Sequence, residues 1–378
     1  MKQSRMTIDA AVAALLLGLA VGGCSASEPG PPSDQDPVVC DRHATDPGTL
    51  ATELAAATSG QTICLASGDY GTFTGADRAN PVTLAAEPDA TVTLNIAFNG
   101  ARNLTVRGMT IGDLDMRQSQ DITFAHNAFT GQAVVHAGAI ADANLLFDDN
   151  THIDIPTCDG CFAGRLHIDP EGAEDTGVTI RDSLFDGSFS DGIRADANGI
   201  VIEGNEFRNL VDQDPFHTDP IQIYGGARIT IRGNFFHDNS VAAHIGGWDG
   251  NDHNVVEDNV FVGGPTNGEA IAMSSDVGSV IRHNTLVQGQ CNYGWHCGIV
   301  LIDHKTGDAP STGTVVQDNI LSEITDTDAT GTTIDHNLMT DDETPVYAGP
   351  PTTYDGYRLA AGSPGVGAAS DGSNVGIR

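Results

Sequence analysis

Four stretches of the chain repeat one short pattern: ITFAHNAF at 122–129, IVIEGNEF at 200–207, ITIRGNFF at 229–236 and NVVEDNVF at 254–261. In each, apolar residues alternate and are followed by two polar residues, an asparagine, one further residue and an apolar residue. Alternation with a period of two predicts a strand with one face inward, and asparagine tolerates the left-handed backbone of a turn. The pattern therefore predicts a repeated unit of strand and turn.

The asparagine of this pattern recurs along most of the chain. It is present at Asn127, Asn150, Asn205, Asn234, Asn259, Asn284, Asn319 and Asn337, with Ser183 filling one place. The successive gaps are 23, 33, 22, 29, 25, 25, 35 and 18 residues, which predicts coils of about twenty residues with the surplus in loops. Stacked asparagine amides can hydrogen-bond as a ladder. A leucine-rich solenoid would need a leucine-dominated pattern, and a β-propeller would need longer periods.

This pattern resembles that of the right-handed parallel β-helix superfamily typified by pectate lyases, from about Gly60 onward. The opening segments at 60–73 and 80–94 resemble the first coils of the alginate lyase and chondroitinase B type family. The ending at 359–378 resembles the closing segment of many secreted β-helix proteins. The resemblance implies an all-β, single-stranded right-handed parallel β-helix of about ten coils. The spacing of Leu50 and Leu54 predicts a short N-terminal capping helix over 47–58.

The first residues predict export. Basic Lys2 and Arg5, an apolar run over 10–21 and the small residues before Cys24 resemble a bacterial lipoprotein signal. The resemblance implies removal of 1–23 and lipidation of Cys24, with an ordinary secretory leader as the alternative. The segment 24–39 is rich in Pro, Ser and Asp and predicts a solvated tether, followed by the β-helix domain over 40–378. We expect an exported lipoprotein at the cell surface or at the outer or cytoplasmic membrane, held there only through its lipid.

Charge and cysteine content narrow the function classes. The formal charge of -34, from 51 acidic and 17 basic residues, disfavours nucleic acid as a partner. We expect a monomer.

Six cysteines after Cys24 predict disulfides in an exported chain. Their clustering favours the pairs Cys40 with Cys64, Cys158 with Cys161, and Cys291 with Cys297, while the spacing of the second pair also permits zinc binding or redox chemistry.

A second apolar segment in each coil predicts the position of a site. These segments centre on Ile168, Ile193, Ile221, Ile245, Ile271 and Ile299. If the isoleucines point inward and align, their neighbours stack in outward columns, one with His167 and His244 and the other with Asp169, Arg194 and Gln222. Two residues before an isoleucine lie Asp191, Asp219 and Glu269, which predict a carboxylate cluster suited to calcium.

The superfamily resemblance implies a polysaccharide laid along such a face. Lyase chemistry on a uronic acid needs a cation for the carboxylate, a base and an acid. Arg194, or calcium held by Asp191, Asp219 and Glu269, could supply the cation; the base candidates are His217, His244 and Lys305, and the acid candidate is Tyr224. The expected substrate-binding residues are Gln222, Tyr224, Trp248 and Trp295. Each also has a structural explanation, since Asp before Gly or Pro often caps a turn and tryptophan often covers a loop.

Two classes of function remain from the sequence. One is a lyase or epimerase for an acidic polysaccharide, and the other is a non-catalytic glycan-binding or adhesion protein; a purely structural surface protein is a third alternative. Members of the alginate lyase and chondroitinase B type family resemble one another in a lysine and arginine pair on neighbouring coils. This chain has no matching lysine before Asn234, and pectate-lyase signatures are missing. The enzyme hypothesis therefore rests on fold resemblance.

Overall fold

The computed structural model describes residues 38–137, 143–153, 164–170, 175–187, 189–212, 217–248, 250–287, 296–302, 309–327 and 329–378. Val38–Arg378 forms one compact unit. Its helices are Pro47–Ala56 and a short 3-10 turn at Tyr354–Tyr357. Within the described residues, no helix has the length and apolar character needed to cross a bilayer.

Sheet 1 contains thirteen strands in the described part of the chain, and each pairs in parallel with the strand of the next coil. This confirms a parallel β-helix, with somewhat more coils than the predicted ten. Its strands are Arg42–Ala44, Thr62–Leu65, Asp77–Ala86, Arg102–Arg107, Gln120–Ala125, Leu145–Asp148, Val178–Arg181, Val201–Glu203, Thr230–Arg232, Val255–Glu257, Val280–Arg282, Val315–Gln317 and Thr333–Asp335.

Among the described residues, a second ladder of 20 strands forms the two other walls of the coil. Sheet 2 follows the asparagine turn and comprises Ala128–Phe129, Thr151–Ile153, Leu184–Asp186, Glu206–Arg208, Phe235–His237, Val260–Val262, Thr285–Val287, Ile320–Leu321 and Leu338–Met339. Sheet 3 comprises Gly68–Phe73, Val92–Asn99, Thr110–Arg117, Ala133–Ala137, Leu166–Pro170, Ile193–Ala195, Ile221–Tyr224, Val241–Trp248, Asn267–Met273, Ile299–Leu301 and Ile324–Asp326. A small separate pair joins Asn251–Asp252 to Asp276–Val277.

The predicted asparagine ladder lies inside the turn between sheets 1 and 2. The backbone N–H and the Nδ2 of Asn205 both donate to Oδ1 of Asn234, at 2.9 and 3.0 Å. Ser183 continues the ladder, since its Oγ accepts from the backbone N–H of Asn150 at 3.0 Å. The residue before each rung has a left-handed backbone, for example φ 54° at Asp258. The ladder therefore satisfies polar groups that the turn would otherwise bury without partners.

The core is a narrow apolar column between the three sheets. Inward aromatic rings stack from coil to coil on sheet 2, with ring centroids 4.5 to 4.8 Å apart from Phe129 to Phe261. His152 occupies one place in this stack, between Phe129 and Phe185. Burial lowers the pKa of His152 to about 3, so the ring is neutral and stacks as an aromatic residue does.

The N-terminal cap is formed by the helix Pro47–Ala56, two residues shorter than predicted. Asp46 caps its first turn by accepting from the backbone N–H of Thr49 at 2.9 Å, and the inward side chains of Leu50 and Leu54 are buried. The predicted disulfide between Cys40 and Cys64 is present. It ties the first described residues to the second strand of sheet 1.

The C-terminal segment runs back over the outer face of sheet 2. Tyr357 and Ile377 are buried there and pack with Val260. The Arg378 guanidinium pairs with the Asp258 carboxylate at 2.6 Å. Sheet 2 is therefore covered in these coils, whereas sheet 3 carries the outward polar residues.

Candidate functional site

The register of sheet 3 sets which outward side chains are neighbours. His167 pairs with Arg194, Arg194 with Gln222, and Gln222 with Gly246. Leu166, and not Ile168, pairs with Ile193, so the predicted alignment was wrong at this coil. His167 therefore shares a column with Arg194 and Gln222 instead of with His244.

His244 does not belong to any outward column. Its side chain is fully buried and meets the rings of Phe236 and Phe261 edge-on, at 6.0 and 5.9 Å. The chain turns the corner between sheets 2 and 3 here, and both His244 and Ile245 are buried. Burial lowers the pKa of His244 to about 4. The predicted outward position of this base candidate is thus corrected, because alternation is interrupted at the corner.

Arg194 lies at the centre of a first polar cluster. Its Nε donates to Oδ2 of Asp196 at 2.6 Å, and its Cζ lies 4.9 Å from the centroid of the Tyr224 ring. Nε2 of His167 lies 3.2 Å from the same carboxylate oxygen. Asp196 contacts both the Arg194 guanidinium and the His167 imidazole, yet sequence reasoning did not single it out. Its position two residues after Arg194, on the same face of the strand, was the available signal.

A second cluster surrounds Asp219, whose side chain is fully buried. Its Oδ2 accepts from Nε2 of Gln222 at 3.1 Å and from Nε1 of Trp248 at 3.3 Å. Nε2 of His217 lies 3.6 Å from that oxygen and 3.3 Å from Nε2 of Gln222. His217 itself is half exposed. The structure thus brings together four residues that the sequence predicted separately, as a buried carboxylate beside an accessible imidazole.

The two remaining predicted carboxylates lie at the same edge of sheet 3. Oδ1 of Asp191 accepts from the backbone N–H of Asp219 at 2.9 Å. Ala243 lies one coil beyond Asp219, and Glu269 pairs in register with Ala243 one coil further on. Burial, reinforced by the Asp219 charge, raises the pKa of Glu269 to about 7. Burial likewise raises the pKa of Asp219 to about 6 and the pKa of Asp191 well above its ordinary value.

The described carboxylates are not grouped as a metal site, and the predicted calcium ion stays a prediction. Oδ1 of Asp191 already accepts a hydrogen bond from a backbone N–H. Ala243 lies between Asp219 and Glu269. Among the described residues, no three His, Cys, Asp or Glu side chains are grouped so that they could hold a metal ion. One oxygen each of Asp219 and Glu269 is buried without a hydrogen-bond partner, in keeping with the burial that raises the pKa of both groups.

Several predicted residues lie outside the described parts of the chain: Cys24, Cys158, Cys161, Cys291, Trp295 and Lys305. Cys297 is described, is buried and is disulfide-bonded. Its predicted pairing with Cys291, the lipidation of Cys24 and the roles of Trp295 and Lys305 stay predictions.

Part of the chain matches a known protein family. The sequence model of a family described as "Right handed beta helix region" matches residues 166–339. This match covers less than half of the chain, and it supports the right-handed parallel β-helix fold that the strand pairing shows. Its handedness thereby agrees with the prediction, and the matched residues include Arg194, His217 and Glu269.

Solved structures resemble the chain over most of its length. PfbA, a surface adhesin of Streptococcus pneumoniae, superposes with a TM-score of 0.53 at 13% identity, covering 76% of this chain and 86% of PfbA. A second PfbA structure gives 0.51 at 14%, covering 80% and 94%. A PL6 family polysaccharide lyase from Pseudopedobacter saltans gives 0.40 at 13%, covering 79% and 84%. A comparison with curated protein sequences found no match. At 13 to 14% identity, the two PfbA likenesses support the fold alone.

Proposed function

We propose that this chain is an exported protein that acts on a uronic-acid polysaccharide, by β-elimination or C5 epimerisation, on the outer face of sheet 3. The observation that carries the proposal is the convergence of Arg194, His217 and Tyr224 beside a buried Asp219. Arg194 and Gln222 are register neighbours, and Gln222 contacts His217. A cation, a base and a phenol therefore lie on adjacent coils, about 4.8 Å apart.

His217 is the proposed base because it is accessible and is oriented by a carboxylate. We assign its proton to Nε2, which lies 3.6 Å from Oδ2 of Asp219, with the Gln222 amide donating to Asp219 and not to the ring. Nδ1 is then the nitrogen that can accept a proton. Asp219 does not reach solvent, so it acts through the imidazole as a positioning residue. Gln222 and Trp248 fix that carboxylate by donating to it. The arrangement resembles the oriented base that proton abstraction requires.

The reaction divides among three side chains. Arg194 neutralises the uronate carboxylate, which makes the neighbouring C–H proton more acidic. Nδ1 of His217 takes that proton, and the electron pair left on carbon forms the double bond as the C–O bond to the leaving sugar breaks. The Tyr224 hydroxyl donates a proton to the leaving oxygen. In epimerisation the carbon instead regains a proton from the opposite face, and no C–O bond breaks.

The test uses the exported domain with alginate, pectate and chondroitin. Elimination is followed by the ultraviolet absorbance of the unsaturated product, and epimerisation by incorporation of solvent deuterium without loss of polymer length. We expect Arg194→Ala and His217→Ala each to lower the rate by about 10²-fold or more. A loss of this size is typical when one electrostatic or one acid–base contribution to catalysis is removed. Arg232→Ala and His253→Ala are matched controls, because both side chains are exposed and lie outside sheet 3. Unchanged activity in both site variants would exclude this location.

A second candidate is glycan binding without chemistry. The observation in its favour is the pairing of Arg194 with Asp196, which partly neutralises the cation before any substrate arrives. Retention on a glycan column with no product on any of the three polymers would support it.

The proposed function includes the lipid anchor at Cys24. Cys24→Ser should release the protein from the membrane fraction into the medium.

A further inference from the structure

The outer face of sheet 3 is open in its early coils, covered from Gln222 to Val300, and partly exposed again at Thr325, which pairs with Val300. Along the column that contains Arg194, Asp115 is exposed, and the side chains of Val134, His167 and Arg194 are partly exposed. The column then continues in register through Gln222, Gly246, Ala272 and Val300. Gln222 is 5% exposed, Ala272 1% and Val300 0%. The change from open to covered occurs within one coil of Arg194.

The neighbouring column, two residues further along each strand, also changes from open to covered, although Asp196 within it is already buried. Arg117 is exposed, His136 and Asp169 are partly exposed, Asp196 is 7% exposed and Tyr224 is partly exposed. Trp248, which pairs with Tyr224, is only 7% exposed. The two columns together form a polar groove that runs over the early coils of sheet 3 and stops beside Tyr224.

Trp248 forms the end of this groove. Its ring packs with Ala243, Ala272 and Tyr224, so it lies back across the sheet instead of standing away from it. Gly246 permits this position, because a Cβ at that residue would lie 2.6 Å from Nε1 of Trp248 and from Oδ2 of Asp219. The same indole that orients the Asp219 carboxylate therefore also blocks the sheet beyond Tyr224.

We infer that the groove receives the end of a polysaccharide chain and not an internal stretch. The inference rests on the proposed function and deepens it. The terminal sugar lies against Trp248, within reach of Arg194, His217 and Tyr224, and the rest of the chain extends over the early coils. An internal segment would have to continue across Ala272 and Val300, which are covered.

The open part of the groove offers a second contact for an acidic polymer. Arg117 lies three coils before Arg194 by register, a distance of about 14 Å at about 4.8 Å per coil. His136 lies between Arg117 and Asp169, with its Nδ1 2.8 Å from the Asp169 carboxylate. Arg117 is therefore placed to meet a second carboxylate of the same chain, several sugar units from its end.

The experiment is a calorimetric titration of the wild-type domain with short and long size fractions of alginate, pectate and chondroitin. Chain-end binding predicts one protein bound per polysaccharide chain, whatever the length of that chain. Internal binding predicts a number of bound proteins that grows with chain length, and this result would overturn the inference while leaving the proposed substrate class intact. Absence of binding to all three polymers would overturn the proposed function itself, and the inference with it.

Two variants separate the end wall from the hydrogen bond to Asp219. Trp248→Phe keeps a ring over Gly246 but removes the N–H donor, so one protein should still bind per chain. Trp248→Ala removes the wall, and the number of proteins bound per long chain should rise above one. If turnover occurs, wild type should release small products from the start, whereas Trp248→Ala should give a broad range of sizes. Equal stoichiometry in wild type and Trp248→Ala at every length, with more than one protein per chain, would contradict the inference.

Discussion

Replacing Glu269 with glutamine should make the protein less sensitive to alkaline pH. The Glu269 side chain is 2% exposed, and its Oε1 has no hydrogen-bond partner. Burial is the main reason that its pKa rises from 4.5 to about 7, and the Asp219 charge adds to it. A buried carboxylate that is ionised without partners destabilises the folded state, whereas glutamine has a similar shape and never ionises.

The sign and size of the effect follow from proton linkage. Because the folded-state pKa lies above the unfolded value, the contribution of Glu269 to stability is fully present below about pH 4.5 and is lost as pH rises to about 7. The difference between 4.5 and about 7 corresponds to a loss of about 3 kcal/mol. The free energy of unfolding of Glu269→Gln, relative to wild type, should therefore increase by about 3 kcal/mol between pH 4.5 and pH 8.

The measurement is urea unfolding of both proteins over this pH range, with the slope against denaturant compared to confirm the same transition. Glu343→Gln is the matched control, because Glu343 is exposed and its curve should stay parallel to wild type. Parallel curves for Glu269→Gln, or a less stable variant at pH 8, would refute the burial argument. Repeating the series with calcium tests the prediction that Glu269 is a calcium ligand. If it is a ligand, calcium should stabilise wild type more than Glu269→Gln; if it is not, calcium should affect both proteins equally.

Three further outcomes are expected. Asn234→Ala should lower the free energy of unfolding by about 3 kcal/mol, because it leaves the buried donors of Asn205 unpaired; Asn234→Ser should cost less, since Ser183 serves in the same ladder, and equal losses in urea unfolding would argue against the ladder. His152→Phe should raise that free energy by about 1 to 3 kcal/mol, because both ring nitrogens are buried without partners; a lower melting temperature would contradict this. Affinity for a polyuronate, measured by calorimetry, should rise from low to physiological salt, because the charge of -34 repels the polymer; a fall with salt would indicate local attraction instead.

The repeating phrase was sufficient to predict the fold. A strand that alternates apolar and polar residues and ends in asparagine can bury its apolar side only against copies of itself, and stacked copies place the asparagines in one line. The ladder from Asn127 to Asn337, including Ser183, therefore followed from the spacing alone. The capping helix was also predictable, because Leu50 and Leu54 share one face of it.

The site could be predicted only in part. Arg194, His217, Asp219, Gln222, Tyr224 and Trp248 were identified from the sequence, and the structure places them in one patch. Their partner Asp196 and the true alignment of Leu166 with Ile193 were missed. Alternation specifies which face a residue takes within one strand, but the register between coils depends on how many residues each intervening loop absorbs.

The sequence by itself therefore determined the stacked coils, the turn that carries the asparagines and the residue types that could act on a uronate. Only the tertiary structure decided that His244 faces the core, that Asp219 and Glu269 are buried, and that Trp248 closes the groove beyond Tyr224. These features depend on the corner between sheets 2 and 3 and on side chains from other coils that cover the sheet. A residue's exposure is set by neighbours distant in sequence, and no pattern within a single coil contains that information.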